Sequence, residues 1–526
     1  MALPLWAHDA TALSGLLARG EVSSREATAG CLARIDEHGK QLGAFTEVFH
    51  QQALRDADAA DAARKRGEAK GPLHGIPVSV KECFDLAGKA TTLGIPKRLG
   101  TRAAEDAALV TLLREAGGVV VGRTNIPQLL LSYESRNPIW GQVNNPFDLG
   151  RTPGGSSGGE SSALAAGCSY LGLGSDLGGS IRVPAHFTGT AGLKPTLDRW
   201  PARGCQTGIP GQEATRGMPG PMARSSRDLA LWMRAIDPVK ASRLDGRVPP
   251  LTFTDPLSIE LRKLRIGVVD CSEFFVAPST ALRRAVEEAT AHLKAAGCEV
   301  VPFTPPEVVE SYSLQAAAIS ADGGAVLSAA LAGGAKDVVI ETLLRNFTLG
   351  AVTRKIAVQL MKRGGDPKVA EVLLKLGKRP VQGFYALTAA TRAARNRFLD
   401  AMAKERLDLL LLPPFATPAA QHTTTKDVMP AGAYSLLFNV LQLPAGVAPV
   451  TRVRPGEEAR AGTSRMERLA AAIDQGSAGL PVGVQIVGRP WEESQVLSAM
   501  IAIEDAARKL PGFPLTPRQA PLSPGR

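Results

Sequence analysis

Residues 106–125 read DAALVTLLREAGGVVVGRTN, and this stretch decides the fold class. Apolar side chains recur at helical spacing through Leu109, Leu112 and Leu113. The pair Gly117-Gly118 stops that helix, because glycine gives up the most backbone freedom when it is made helical. Three valines follow, Val119 to Val121, a short run suited to a buried strand. Helix, stop and buried strand make one αβ unit, which implies an α/β sheet with helices on its faces.

Working outward, GIPVSVKECFD (residues 75–85) alternates as a strand does, while the first ~70 residues read as helices. Within them, the Asp/Ala/Arg-rich run 51–70 reads as an exposed helix. Downstream, LRIGVVD (264–270) is a buried strand, and ALRRAVEEATAHLKAAGCEVVPF (281–303) is a helix leading into another. LDLLLLPPFATPA (407–419), LPAGVAPVTRV (443–453) and GLPVGVQIVGRPW (479–491) are strand-like, with a polar loop at 454–478. After Pro514 the tail is Pro-rich and expected to be loose.

Composition narrows the class of protein. The chain has 526 residues, 44% apolar and 21% charged, a globular balance with ample core. Net charge is +11, yet aromatics are only 5% and no basic run is interleaved with them, which argues against nucleic acid. Six cysteines at irregular spacing, with no C-x-x-C pair, read as free thiols of a reducing, cytoplasmic compartment. A basic-then-apolar leader is not evident at the start, and no run reaches ~18 uninterrupted apolar residues, so neither a signal peptide nor a spanning helix is expected.

Three segments carry chemistry. Lys81 ends the apolar strand of residues 75–85, where burial would penalise its charged form and make it a base. GGSSGGE (154–160) places Ser156 and Ser157 among four glycines, a loop of exposed backbone donors. It is no P-loop, since no Gly-Lys-Ser/Thr follows. GSDLGGSIRVP (174–184) sets Ser180 after Leu177, Gly178 and Gly179, whose N–H groups can cradle a developing oxyanion. Asp176 and Arg182 flank that turn and read as an ion pair that holds it. The seven histidines occupy no elbow or metal motif; His186 is near Ser180 in sequence but reads better as a loop histidine. A serine nucleophile then needs another base, and lysine is the known alternative.

Together these segments resemble the amidase signature family. In that family a strand lysine lies about 75 residues before a shuttle serine held by a cis peptide bond, and the nucleophile follows 24 residues later; Lys81, Ser156 and Ser180 match both spacings. The resemblance implies Lys81 as base, Ser156 as shuttle and Ser180 as nucleophile. It implies an oxyanion hole from the N–H groups of Leu177, Gly178, Gly179 and Ser180. It also implies one domain over residues 1–526, built on a large twisted mixed sheet covered by helices on both faces.

Within the family the likeness is to animal-type fatty acid amide hydrolases. NPIWGQVNNP, GQEA, GPMAR, SLLFNVLQLPAGVAPVT, Glu160 and the cysteine after Lys81-Glu82 carry it. It places LLLSYES (129–135) at the site, with Leu130, Leu131 and Ser132 near substrate, although leucine stands where that subgroup has Met and Phe. The implied reaction is hydrolysis of lipophilic amides, such as fatty acid amides or N-acylethanolamines, to free acid plus amine or ammonia. No metal or cofactor is implied, and a homodimer is. Short-chain or aryl amidases, a glutaminase-type amidotransferase subunit and an inactive binding protein are the competing readings. The subgroup's spanning helix is not expected in this sequence, and its helical hairpin corresponds to residues 336–380, which carry ten basic and four acidic residues. Such a basic amphipathic hairpin fits either peripheral contact with an anionic bilayer or a cover over a substrate channel.

Overall fold

The computed structural model describes residues 4–517. The stretch read first is the helix Ala108–Glu115 followed by a strand buried at every position. That strand is the third of eleven in one sheet. In chain order they are β1 (Phe45–Val48), β2 (Pro77–Lys81), β3 (Val119–Thr124), β4 (Leu171–Asp176), β5 (Ala191–Lys194), β6 (Met218–Ala223), β7 (Arg265–Val269), β8 (Glu299–Phe303), β9 (Leu409–Leu412), β10 (Ala445–Arg452) and β11 (Pro481–Gly488). Across the sheet the order is β1-β3-β2-β4-β6-β5-β10-β11-β9-β7-β8.

The sheet is mixed. β3, β2 and β4 run parallel, as do β9, β7 and β8. Antiparallel pairs from β4 through β6, β5, β10 and β11 to β9 join these two ends. The strands β9 (LLLL) and β11 (PVGVQIVG) are buried throughout, because helices cover the sheet and leave no polar face to alternate with. Pairing of β2 with β4 sets Val80 opposite Leu173, so Lys81 at the end of β2 comes level with the end of β4. That register positions the site.

Three readings change. The N-terminal segment is not purely helical: Phe45–Val48 forms an edge strand antiparallel to β3, between the helices Ser24–Leu42 and His50–Lys65. Residues 336–380 form three helices rather than a two-helix hairpin, Val338–Phe347, Ala351–Arg363 and Pro367–Lys375, with breaks near Gly350 and Gly364. The polar loop 454–478 contains the helix Arg465–Asp474, which buries Met466, Ala470 and Ile473 on one face. Its start is marked by Ser464, whose hydroxyl accepts from Glu467 N–H. The tail from residue 518 onward lies outside the described residues.

The cap gives a direct check on that helix. Ser464→Ala should lower the free energy of unfolding by about 1 kcal/mol in urea titration.

Candidate active site

Lys81 is fully buried, and its Nζ lies among hydroxyls rather than carboxylates. It donates to Ser156 Oγ (2.7 Å), Ser157 Oγ (2.8 Å), Ser175 Oγ (3.0 Å) and Ser175 C=O (3.2 Å). Burial pushes its pKa down from the usual lysine value; the negative charge available at Cys83, Cys205, Asp176 and Glu160 pulls the other way and does not win. A lysine so placed is poised to lose its proton, and its lone pair would then face Ser156.

Ser156 follows a cis peptide bond from Gly155. Gly155 is required by close approach: a Cβ there would lie 2.4 Å from Ser132 C=O. Ser157 N–H donates to Ser180 C=O (3.1 Å), which ties the Ser156 loop to the turn that carries Ser180. Among the described residues no hydrogen bond joins the Ser180 and Ser156 hydroxyls; in free enzymes such contacts commonly tighten only on binding substrate.

Ser180 lies in the turn between β4 and the helix Arg182–Thr188. That turn is held by Asp176 and Arg182, 3.0 Å apart, both side chains fully buried. The Asp176 carboxylate accepts from Gly179 N–H, Ile181 N–H, Arg182 and Asn439 Nδ2. Arg182 also donates to Ser435 C=O, Gln485 Oε1 and Asn439 Oδ1. Burial alone would push the Asp176 pKa up; Arg182 beside it wins and holds it well below the usual carboxylate value. Gly179 adopts φ 112°, and a Cβ there would meet Ser435 Cβ at 2.7 Å, so only glycine fits.

The peptide between Gly178 and Gly179 is engaged at both ends. Tyr133 OH donates to its carbonyl (2.8 Å), and its N–H donates to Asp176 Oδ1 (2.7 Å). Of the four donors read from the sequence, Gly179 N–H is therefore taken, while those of Leu177, Gly178 and Ser180 have no protein acceptor among the described residues. Leu177 and Gly178 are partly exposed. A cavity of about 530 Å³ opens against Leu177, Ser156, Ser175, Leu129, Leu130 and Leu131. Leu130 and Leu131 line it; Ser132 is 8% exposed, packs against Gly155 and does not line it. Exposed Arg203, Glu213 and Arg247 line the same cavity.

His186 is not a base here. Its Nε2 is 3.1 Å from Thr417 C=O and its Nδ1 accepts from Gly483 N–H (3.1 Å). Burial lowers its pKa to about 4, so the ring stays neutral with both nitrogens engaged. Glu160 is buried too, and burial pushes its pKa up to about 8. It accepts from Ser79 (2.5 Å) and Thr124 (2.8 Å), joining the helix after Ser156 to the strands that carry Lys81 and its neighbour. Ser175, Asn439 and Gln485 escaped the sequence reading. The only signals were single polar residues inside apolar runs, Gln485 in PVGVQIVG and Asn439 in SLLFNV.

Removing the arginine tests this scaffold. Arg182→Met should cost about 3–5 kcal/mol of stability in denaturant titration, because Asp176 is left charged, buried and unpaired. In the wild type the pair's contribution is present above the ordinary carboxylate pKa and fades only as pH falls toward the depressed Asp176 value.

Comparison with known proteins gives one consistent result. A model of the amidase family matches residues 26–497. Fatty acid amide hydrolase 1 of Caenorhabditis elegans is 34% identical over 505 residues, covering 93% of this chain and 86% of that protein. Fatty-acid amide hydrolase 1 of Sus scrofa is 36% identical over 442 residues, 83% of this chain and 76% of that one. Among solved structures, a fatty acid amide hydrolase superposes with a TM-score of 0.81 at 27% identity, over 95% of this chain and 85% of the other.

Proposed function

The chain belongs to the amidase family of amide hydrolases, and from that premise we propose that it cleaves lipophilic carboxylic amides through a Ser180–Ser156–Lys81 relay. The observation that carries the reading is Lys81 Nζ, fully buried, 2.7 Å from Ser156 Oγ, which itself lines a cavity shared with Leu129, Leu130, Leu131 and Leu177. Neutral Lys81 takes the Ser156 proton while Ser156 takes that of Ser180. Ser180 Oγ attacks the carbonyl carbon, and the oxyanion rests on the N–H groups at Leu177, Gly178 and Ser180. The proton returns through Ser156 to the leaving nitrogen, which departs as amine or ammonia. Water, deprotonated by the same relay, then releases the acid from the acyl-enzyme. No step calls on a metal or cofactor.

Leu129, Leu130, Leu131 and Leu177 give a hydrocarbon acyl chain an apolar surface beside Ser156, while Gln206, Thr207, Gln212 and Thr215 make another part of the same cavity polar. Short-chain and aryl amides remain the competing substrates. A series of primary amides from acetamide to oleamide separates them: kcat/KM should climb with chain length, and a maximum at two to four carbons would reject the lipophilic reading.

Two variants test the relay. Ser180→Ala should abolish turnover of oleamide and labelling by a fluorophosphonate; near-native turnover would remove Ser180 from the chemistry. Lys81→Ala should be nearly inactive at pH 7 and recover partly at high pH, where hydroxide replaces the missing base. In the wild type, the rate should rise with pH as Lys81 loses its proton and level off below the ordinary lysine value.

We also propose that the helix Ala351–Arg363 rests on an anionic membrane surface. Val352, Ile356 and Leu360 follow one another on one face and are 73%, 58% and 62% exposed. Exposed Lys355, Lys362 and Arg363 stand on the same helix. None of the described helices is long and apolar enough to cross a membrane, so the contact is peripheral. The protein should pellet with vesicles of phosphatidylserine in phosphatidylcholine. Val352→Glu/Ile356→Glu/Leu360→Glu should stay in the supernatant.

A further inference from the structure

The relay reading leaves one buried polar side chain beside the nucleophile turn without a role. Gln315, on the helix Val308–Ile319, is 1% exposed. Its Nε2 donates to Leu177 C=O at 2.7 Å. Its Oε1 is buried with no hydrogen-bond partner among the described residues. An orphaned buried acceptor is costly, because the group gives up its water and gains no partner. A residue selected for packing alone would be leucine or methionine at that place. The amide is kept for what its nitrogen does.

What the nitrogen does follows from peptide geometry. Leu177 C=O and Gly178 N–H belong to one planar trans unit, so they point in opposite directions. Gln315 holds the carbonyl from one side and thereby turns Gly178 N–H to the other. The neighbouring peptide, Gly178 to Gly179, is already fixed at both ends by Tyr133 and Asp176. The Leu177–Gly178 unit is fixed at its carbonyl by Gln315, and its N–H is left unclaimed. Around Gly178 the nearest atom to an added Cβ would be Gln315 Nε2, at 3.5 Å, so the amide sits directly over this peptide. A glycine-rich turn needs such a brace, because glycine itself imposes little on φ and ψ.

We infer that Gln315 is a positioning residue for the oxyanion hole: by binding Leu177 C=O it orients Gly178 N–H toward the developing oxyanion. This rests on Ser180 being the nucleophile. The donation from Gln315 also polarises the peptide and strengthens its N–H as a donor. The contribution belongs to the transition state, since a ground-state amide carbonyl carries far less charge.

The test uses the full chain and two variants, Gln315→Leu and Gln315→Met, each checked by urea denaturation. Both remove the donor and the orphaned acceptor and keep the volume. Steady-state oleamide hydrolysis should show kcat lowered roughly 10–100-fold, with KM within about twofold of wild type, less than for outright loss of an oxyanion donor. Inhibition by an alkyl trifluoromethyl ketone, which forms a tetrahedral oxyanion on the nucleophile, should weaken by a similar factor. Inhibition by the matching fatty acid should be unchanged. A kcat within twofold of wild type in either folded variant overturns the inference. So does an unchanged ketone affinity, or a loss confined to KM. Ser180→Ala runs alongside: if it stays active, the relay reading falls and the inference with it; if it is dead while the Gln315 variants resemble wild type, only the inference falls.

Discussion

The buried pair of Asp176 and Arg182 is the interaction on which the site depends. Taking both charges out of water costs several kcal/mol for each ion, and only close geometry with full hydrogen bonding offsets it. Here the offset is complete in kind: every N–H of the Arg182 guanidinium has an acceptor, and the carboxylate accepts from two backbone N–H groups, Arg182 and Asn439. The partners come from β4, the turn, the helix Arg182–Thr188, the helix Ala433–Val440 and β11. One ion pair thus clamps a flexible, glycine-rich turn to the middle of the sheet. The turn carries Ser180, the proposed nucleophile, and the N–H groups beside it, so their placement is inherited from the sheet.

Lys81 solves a different problem. His186, the histidine nearest Ser180 in sequence, has both ring nitrogens engaged. The fold ends an apolar strand inside the protein at Lys81 and surrounds its amine with serine oxygens, which suits it to the base role proposed for it. Hydroxyls accept from an ammonium and can donate to an amine, so the site tolerates both protonation states. A carboxylate in direct contact would have locked the charged form. Glu82, the neighbour of Lys81 in sequence, accepts from Thr92 and Leu93 N–H instead, and Glu160 accepts from Ser79 and Thr124, where burial favours its neutral form.

Much of this was legible in the chain. The αβ unit at 106–125 and the strand ending at Lys81 follow from local periodicity, which survives folding because it is the sheet's own pattern. The Asp176–Arg182 pair could be read because both members flank one turn. The misreadings have local causes. The edge strand Phe45–Val48 is too short for a periodicity, and the helix Arg465–Asp474 hides in a charged stretch with only three buried apolar positions. The third helix of 336–380 turns on a break at Gly350 within a sequence that is amphipathic on both sides of it.

By itself the sequence determined the chemistry's vocabulary: one lysine at a strand end, serines in glycine-rich loops, and no histidine in a catalytic motif. Residue type and spacing are chain properties, and they sufficed to name the family. Tertiary structure alone decided which groups meet. Ser175 reaches Lys81 only because β2 and β4 pair in one register. Gly179 N–H is drawn to Asp176 while its neighbours stay open, and Gln315 reaches Leu177 across 138 positions of chain. Those choices depend on packing between elements far apart in sequence, and no local pattern encodes a contact whose partner lies on another layer.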